Sequence, residues 1–287
     1  MSEGEQLTIL IPGSTLSLAG FPDIPFTVAP TNSNFKLFGE QTMERILAAI
    51  ASAALLAGIP LFAQGTFEKD LIKTSAGPLE ITFVGHGTLM MKFAGKTIYI
   101  DPYSQLADYT KLPKADCVFI THQHFDHFDG KALAQIRTDQ TIFVLTPACA
   151  KEFKKGIVMK NGEARDVLGV HVEALPAYNL VAKRPDGTPF HPQGEGNGYI
   201  LTFGKTRVYI AGDTENTPEM KALKHIDIAF LPMNLPYTMT PEMVADAALA
   251  FKPKILYPYH YGETDTGKLV ALLRGVHDID LRIRKMK

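Results

Sequence analysis

Residues 122–127 read His-Gln-His-Phe-Asp-His, which puts three of the nine histidines and one carboxylate into six positions. The apolar run Cys117-Val118-Phe119-Ile120 comes just before and reads as a buried strand. The cluster therefore lies where a strand gives out into a loop. In an extended chain, side chains two residues apart share a face, so His122 and His124 can grip one ion. Asp126 and His127 follow in the turn and can face a second. Neutral imidazole and carboxylate are the donors that suit zinc, manganese or iron. A solvated histidine-rich loop is the bland alternative, and neither the density of the cluster nor its place at a strand end fits it.

A centre of this kind needs a rigid frame, and the chain supplies one. From residue 77 onward the pattern is short strands with helices between them. Strands are expected near 79–84, 89–93, 97–100, 117–121, 142–145, 170–175, 199–203, 207–211, 226–231, 255–257 and 281–283. Ala94-Gly95-Lys96 and Gly204-Lys205 read as hairpin turns. Helices are expected near 131–137, 151–154, 218–223, 241–251 and 268–274. The fourth starts at Thr240-Pro241, where Thr can cap and Pro suits the first helical position. Two strand-rich halves, each with its helices, pack most naturally as two sheets face to face with helices outside. Polar residues recur at strand ends, at Asp101, His122–His127, Pro176–Asn179, Asp213 and His260. Strand ends gathered at one edge of such a sandwich can carry a site. No heptads or longer internal repeats are evident.

The N-terminal part reads differently. Residues 1–42 are rich in Gly, Pro, Ser and Thr and have no sustained period. Met43-Glu44-Arg45 then precedes an uncharged run to Phe67, broken by Gly58-Ile59-Pro60. Residues 43–63 are expected to be a secretory signal peptide starting at Met43, with Ala63 at its end and residues 1–42 as upstream sequence. A membrane anchor over residues 46–67 is the alternative, and a buried helix the third. Residues 64–76 read as a polar linker. A cleaved signal implies a periplasmic or secreted protein without stable membrane insertion. After the first 64 residues, which hold two basic and five acidic side chains, 27 basic and 25 acidic ones remain. That balance, with no Lys/Arg run, gives no support for a nucleic-acid partner. Cys117 and Cys149, both in apolar surroundings, read as buried thiols.

The order of motifs resembles the metallo-β-lactamase superfamily over residues 77–287: a strand ending in Asp101, H-x-H-x-D-H at 122–127, Gly-Asp-Thr at 212–214 and a late His260. Gly85-His86-Gly87-Thr88, Ile100-Asp101-Pro102 and His260-Tyr261-Gly262 are similar to the branch containing L-ascorbate-6-phosphate lactonase and the N-acyl-phosphatidylethanolamine phospholipase D. The resemblance implies an α/β fold, an αββα sandwich of two mixed sheets with helices on the outer faces, and two divalent metal ions along one edge. It assigns His122 and His124 to the first ion and Asp126, His127 and His260 to the second, with Asp213 bridging. Zinc is the expected metal, with manganese or iron compatible. Asp101 is expected to fix the histidine loop by hydrogen bonds rather than bind metal.

The family's third histidine on the first ion is missing from its usual place, where Asn179 stands. His191 lies twelve residues on in a loop. Either can complete the site, and His191 is preferred as the better zinc donor. His86 is open between a pocket-lining and a structural role. Tyr178 and Tyr237, with Tyr103, Tyr109, Phe125 and Phe190, are expected at an apolar rim or in ordinary packing. His171, His225 and His277 join no constellation. Other catalytic signatures, such as G-x-S-x-G, a P-loop or G-x-G-x-x-G after a strand, are absent.

The expected function is a hydrolase in which a metal-bound hydroxide attacks an ester, lactone or phosphodiester in a small molecule. Asp126 would orient that group or receive its proton. Alternatives are a metal-binding protein without activity or with one ion, and third a nuclease or a true β-lactamase. Metal identity and oligomeric state are left open. The export reading predicts a mature chain beginning just after Ala63. N-terminal sequencing of the natively expressed protein tests this, and an intact 43–63 segment would refute it.

Overall fold

The computed structural model describes residues 8–11, 14–17 and 67–287. The chain forms two units, Met1–Ala63 and Gln64–Lys287. In the first, strands β1 (Thr8–Ile11) and β2 (Ser14–Ser17) pair antiparallel. The signal-like residues 43–63 lie outside the described residues. Among the described residues no helix is long and apolar enough to cross a membrane.

The second unit holds two seven-stranded mixed sheets. One runs β3 (Glu68–Thr74), β4 (Gly77–Gly85), β5 (Thr88–Phe93), β6 (Lys96–Ile100), β7 (Cys117–Phe119), β8 (Ile142–Leu145) and β9 (Ile157–Val158). The other runs β10 (Ala164–Val167), β11 (Val170–Ala177), β12 (Gly196–Phe203), β13 (Thr206–Ile210), β14 (Ile228–Pro232), β15 (Ile255–Tyr259) and β16 (Asp280–Leu281). In each sheet the first four strands form an antiparallel meander and the rest add in parallel. Parallel neighbours require crossovers, and the helices supply most of them.

Period-two alternation sends side chains to both faces of each sheet, and both faces are covered. Leu79, Ile81 and Phe83 of β4 meet Phe230 and Tyr257 of the opposite sheet in the central core. Phe83 packs against Tyr257 at 5.0 Å between ring centroids, and Tyr257 stacks on Phe230 at 5.0 Å. The outer face of the first sheet packs Val118, Ile120 and Leu145 against Leu133 and Ile136 of helix Gly130–Ile136. The outer face of the second packs Ile200, Tyr209 and Leu231 against helix Pro241–Phe251. That helix starts as its sequence requires: Thr240 accepts the Met243 N–H at 3.2 Å and Pro241 opens the first turn. Val244, Ala247, Ala248 and Phe251 form its buried stripe. The αββα expectation is therefore met.

The linker expectation is not. Within residues 64–76, Glu68–Thr74 form β3, an edge strand paired with β4. Exposed Lys69, Leu71 and Lys73 alternate with half-buried Glu68, Asp70, Ile72 and Thr74, and charge on an edge strand discourages sheet-to-sheet association. Polar composition there marks an edge, not a linker. Strand β11 also runs through Pro176 to Ala177 rather than stopping at 175, and β12 begins at Gly196 rather than near 199. Cys117 and Cys149 are both buried free thiols.

One charged cluster ties the β3 edge to the second sheet. The Asp70 carboxylate accepts from Arg284 at 2.8 and 2.9 Å, from Arg282 at 3.1 Å and from the Tyr257 hydroxyl. Burial would raise the Asp70 carboxyl, but these donors outweigh it and hold it below the ordinary value. Asp70→Ala is expected to cost about 2–3 kcal/mol, less than a fully buried pair because both arginines are partly exposed. Urea denaturation at pH 7 measures it. The contribution needs the ionised carboxylate, so the difference from wild type must shrink as pH falls through the carboxylate range and the lowered Asp70 value.

Candidate metal centre

One edge of the sandwich collects the ends of β4, β6, β7, β11, β13, β14 and β15, and each contributes polar groups. Asp101 follows β6 with φ 44° and is 1% exposed. Its Oδ1 accepts the Thr121 N–H at 2.8 Å. Its Oδ2 accepts the Thr121 hydroxyl at 2.6 Å and faces His127 Nδ1 at 2.9 Å. Thr121 Oγ1 lies 3.0 Å from His122 Nδ1. With their Nδ1 atoms engaged, both histidines offer Nε2 inward. Asp101 thus acts on the histidine loop through hydrogen bonds.

The turn after β13 brings in Asp213. Gly212, at φ 66°, allows that turn, and a Cβ there would fall 2.9 Å from the Asn197 carbonyl. The Tyr259 hydroxyl accepts the Gly212 N–H at 2.9 Å. Asp213 Oδ2 lies 3.3 Å from both His191 Nε2 and His260 Nε2, and Oδ1 lies 3.5 Å from His127 Nε2. His260, at the end of β15, approaches Asp126 Oδ2 at 4.0 Å. Gly87 lets the β4–β5 turn come close, since a Cβ there would sit 2.9 Å from the His127 ring.

His191 joins His122 and His124, each offering a ligand atom within 4.8 Å of the others. Asn179 stands behind it. Asn179 Oδ1 accepts the His191 backbone N–H at 2.7 Å and faces His191 Nδ1 at 2.8 Å, while Asn179 Nδ2 donates to the Tyr237 carbonyl at 2.9 Å. Both polar atoms of the asparagine are engaged, and His191 Nε2 points into the cluster. Two further groups meet the same distance criterion: the three residues His122, His127 and Asp213, and the four residues His86, Asp126, His127 and His260.

Three side-chain atoms in this cluster are buried and have no hydrogen-bond partner among the described residues: His127 Nε2, Asp213 Oδ1 and His260 Nε2. Such orphans are costly unless something else satisfies them. They converge from three strand ends with a donor set of imidazole and carboxylate, and a divalent cation fits that set.

The electrostatics agree. Burial raises the Asp213 carboxyl, but the His260 and His127 charges and the close His191 contact outweigh it and hold it well below the carboxylate range. Burial also opposes ionisation of Asp126, yet the His86 contact and neighbouring imidazoles bring it to about 2. Burial pushes His122 well down and lowers His124 and His260, so all three are neutral at pH 7. His127 runs the other way: burial lowers it, but Asp213 and Asp101 outweigh burial and raise it to about 9.

Beside the cluster lies a cavity of 430 Å³ lined by Asp126, Asp213, His191 and His260 together with Phe125, Phe190, Tyr237 and Arg184. Of the aromatics expected at a rim, Phe125, Phe190 and Tyr237 line it, and Tyr103 packs edge-on to Phe125 at 6.1 Å. Tyr109 does not: it is fully buried in the helix-side core. Tyr178 is buried and donates to Glu219 at 3.1 Å, outside the cavity lining. His171 pairs with Asp166 on an exposed hairpin.

Glu215, Asn234 and Arg184 join the site only in the folded chain. Glu215 is 1% exposed and accepts the N–H groups of Leu180, Val181 and Ala182 at 2.7, 2.7 and 2.8 Å. It ties the loop after β11 to the turn after β13. Its one sequence signal is its place two residues after Asp213. Asn234 lies 3.3 Å from His260 Nδ1 and is fixed by the end of β14.

A family profile described as "Beta-lactamase superfamily domain" matches residues 80–260. A metal-dependent hydrolase of the group UPF0173 from Koribacter versatilis is 31% identical over 224 residues, 72% of this chain and 95% of that one. The crystal structure of a candidate metal-dependent hydrolase from Parabacteroides distasonis is 49% identical, covers 77% of this chain and all of that one, and superposes with a TM-score of 0.74. Igni18, a metallo hydrolase from Ignicoccus hospitalis, shares the fold at 24% identity and a TM-score of 0.62, over 72% of this chain and 95% of its own. A histidine–aspartate centre on this frame, a profile spanning most of the sandwich and relatives of this kind lead to one conclusion: the chain belongs to the β-lactamase superfamily and is a metal-dependent hydrolase.

Proposed function

We propose that the protein hydrolyses an ester, lactone or phosphodiester in a small molecule and holds two divalent ions, zinc first. The observation that carries this reading is the set of three orphaned atoms, His127 Nε2, Asp213 Oδ1 and His260 Nε2, buried beside a 430 Å³ cavity. His122, His124 and His191 would hold one ion, Asp126, His127 and His260 the other, with Asp213 shared. The three imidazoles on the first side favour zinc over manganese or iron. A divalent metal in such a site polarises a carbonyl or phosphoryl oxygen and lowers the pKa of water.

The chain's own residues do the rest. Asp101 and Thr121 keep His127 and His122 in the tautomer that offers Nε2 inward, and Asn179 does the same for His191. Asp126, at the cavity wall with its carboxyl held to about 2, can accept a hydrogen bond from water and orient it. A carboxylate that acidic is a weak proton acceptor, so orientation is its stronger role. Phe125, Phe190 and Tyr237 give the substrate an apolar wall. Arg184 is the one Lys or Arg in that lining, which supports a small molecule over a nucleic acid. The signal-like segment 43–63 supports action outside the cytoplasm.

A screen over phosphodiesters, lactones, simple esters and β-lactams, with zinc, manganese and iron added separately, tests the reading. His122→Ala and Asp213→Ala are expected to lower kcat/KM by about 100-fold or more on any accepted substrate. A fully metallated wild type inert across all classes would overturn it.

His191→Ala is expected to lower metal stoichiometry. Asn179→Ala is expected to keep the stoichiometry at saturation and to weaken affinity about 10–100-fold. Elemental analysis and chelator competition separate the two, and an unchanged stoichiometry in His191→Ala would remove His191 from the ligand set.

A ligating imidazole must be neutral, so loading displaces the proton that His127 carries below about pH 9. Affinity for the ion is therefore expected to fall about tenfold per pH unit as pH drops below 9, steepening where further histidines protonate. Chelator competition between pH 6 and 9 measures this slope.

A further inference from the structure

His86 lies 36 residues before the histidine motif, in the Gly85-His86-Gly87 turn between β4 and β5. It is held there in the left-handed region at φ 49°. Its backbone is anchored on both sides: His86 N–H donates to the Lys287 carbonyl at 3.2 Å, and its own carbonyl accepts the His260 N–H at 3.0 Å. Its ring packs on the His260 ring, with centroids 3.6 Å apart. That packing aims His86 Nε2 at Asp126 Oδ2, 2.9 Å away.

Four other residues of the centre have restraints from outside it. His127 is held by Asp101, His122 by Thr121, His191 by Asn179, and the turn of Asp213 by Tyr259. Asp126 is different. It sits on the loop after β7, partly exposed at the cavity wall, between Phe125, which is 74% exposed, and His127. Among the described residues its carboxylate has one hydrogen-bond partner, His86, and its Oδ1 makes no hydrogen bond. A carboxylate on a loop with one restraint loses its direction when that restraint goes.

We propose that His86 is the positioning residue of Asp126: by donating Nε2–H to Oδ2 it fixes the carboxylate rotamer, and through it the affinity of one metal position without affecting the other. The inference rests on the two-ion reading above. It assigns to His86 a hydrogen bond to a ligand residue, not ligation.

The test is a zinc titration of the full chain after chelator stripping, read as stoichiometry and stepwise affinity, with thermal melting as a check on folding. Wild type is expected to take two equivalents. His86→Ala is expected to bind one with wild-type affinity and the other about 10–100-fold more weakly. His86→Phe keeps a flat ring against His260 but lacks the donor, so it is expected to match His86→Ala. His86→Gln can place an amide N–H near Oδ2 and is expected to restore most of the lost affinity. Equal weakening of both equivalents, or none, overturns the inference. So does a Gln variant as weak as Ala, because ligation by His86 itself would give that result. If Ala does not fold, the Phe and Gln pair decides alone. A wild type that takes only one equivalent overturns the two-ion reading and this inference with it. Two equivalents with an unaltered His86→Ala overturn the inference alone.

Discussion

The Asp101 carboxylate is the contact on which the centre depends most. It is buried at the end of β6, yet its oxygens are occupied by the Thr121 N–H, the Thr121 hydroxyl and His127 Nδ1. A buried carboxylate survives only with such compensation. Here the compensating groups are those that must be held still. Through Thr121 the same carboxylate reaches His122, so one side chain governs the tautomer and direction of two imidazoles. The positive φ of Asp101 follows from its place, where the chain must turn away from β6 while the carboxylate stays under the histidine loop.

The other side of the centre is held by a loop rather than by a strand. Glu215 gathers three consecutive N–H groups of residues 180–182, and Asn179 at the head of that segment grips His191 at both backbone and ring. A carboxylate accepting several N–H groups makes a rigid anchor in a low-dielectric setting. The segment Lys183–Pro189 projects, closed by an isolated bridge, turn bonds, the Thr188–Asp186 contacts and the Arg184 guanidinium over Phe190. Precision is concentrated at the metal-facing end, and the cavity-facing end, with Arg184 and Phe190, is free to differ in shape.

The histidine motif, the strands that deliver Asp101, Asp213 and His260, and the sandwich itself were legible in the sequence. Each combines a local period with an end signal, and those are the features a linear reading detects. Which of Asn179 and His191 faces the cluster is not legible in the sequence. Twelve residues of irregular loop separate them, and only the fold brings one behind the other. His86 was ambiguous because its left-handed backbone breaks the alternation that tells which face a strand residue occupies. The β3 edge was misread because charge on an edge strand resembles charge in a linker. Tyr109 and Tyr178 are rim candidates by residue type alone, and residue type does not tell an aromatic in a loop from one folded beneath it.

The two sheets repeat one plan, an antiparallel meander of four strands followed by parallel additions, although no repeat is visible in the sequence. Asp101 follows the fourth strand of the first meander and Asp213 the fourth of the second. His127 lies between them, 2.9 Å from one carboxylate and 3.5 Å from the other. Two anions from twin halves thus face each other across a single imidazole. Its affinity for a proton, raised to about 9, makes that proton a stand-in for a cation. Part of the negative charge at the seam between the halves is therefore offset by the protein itself.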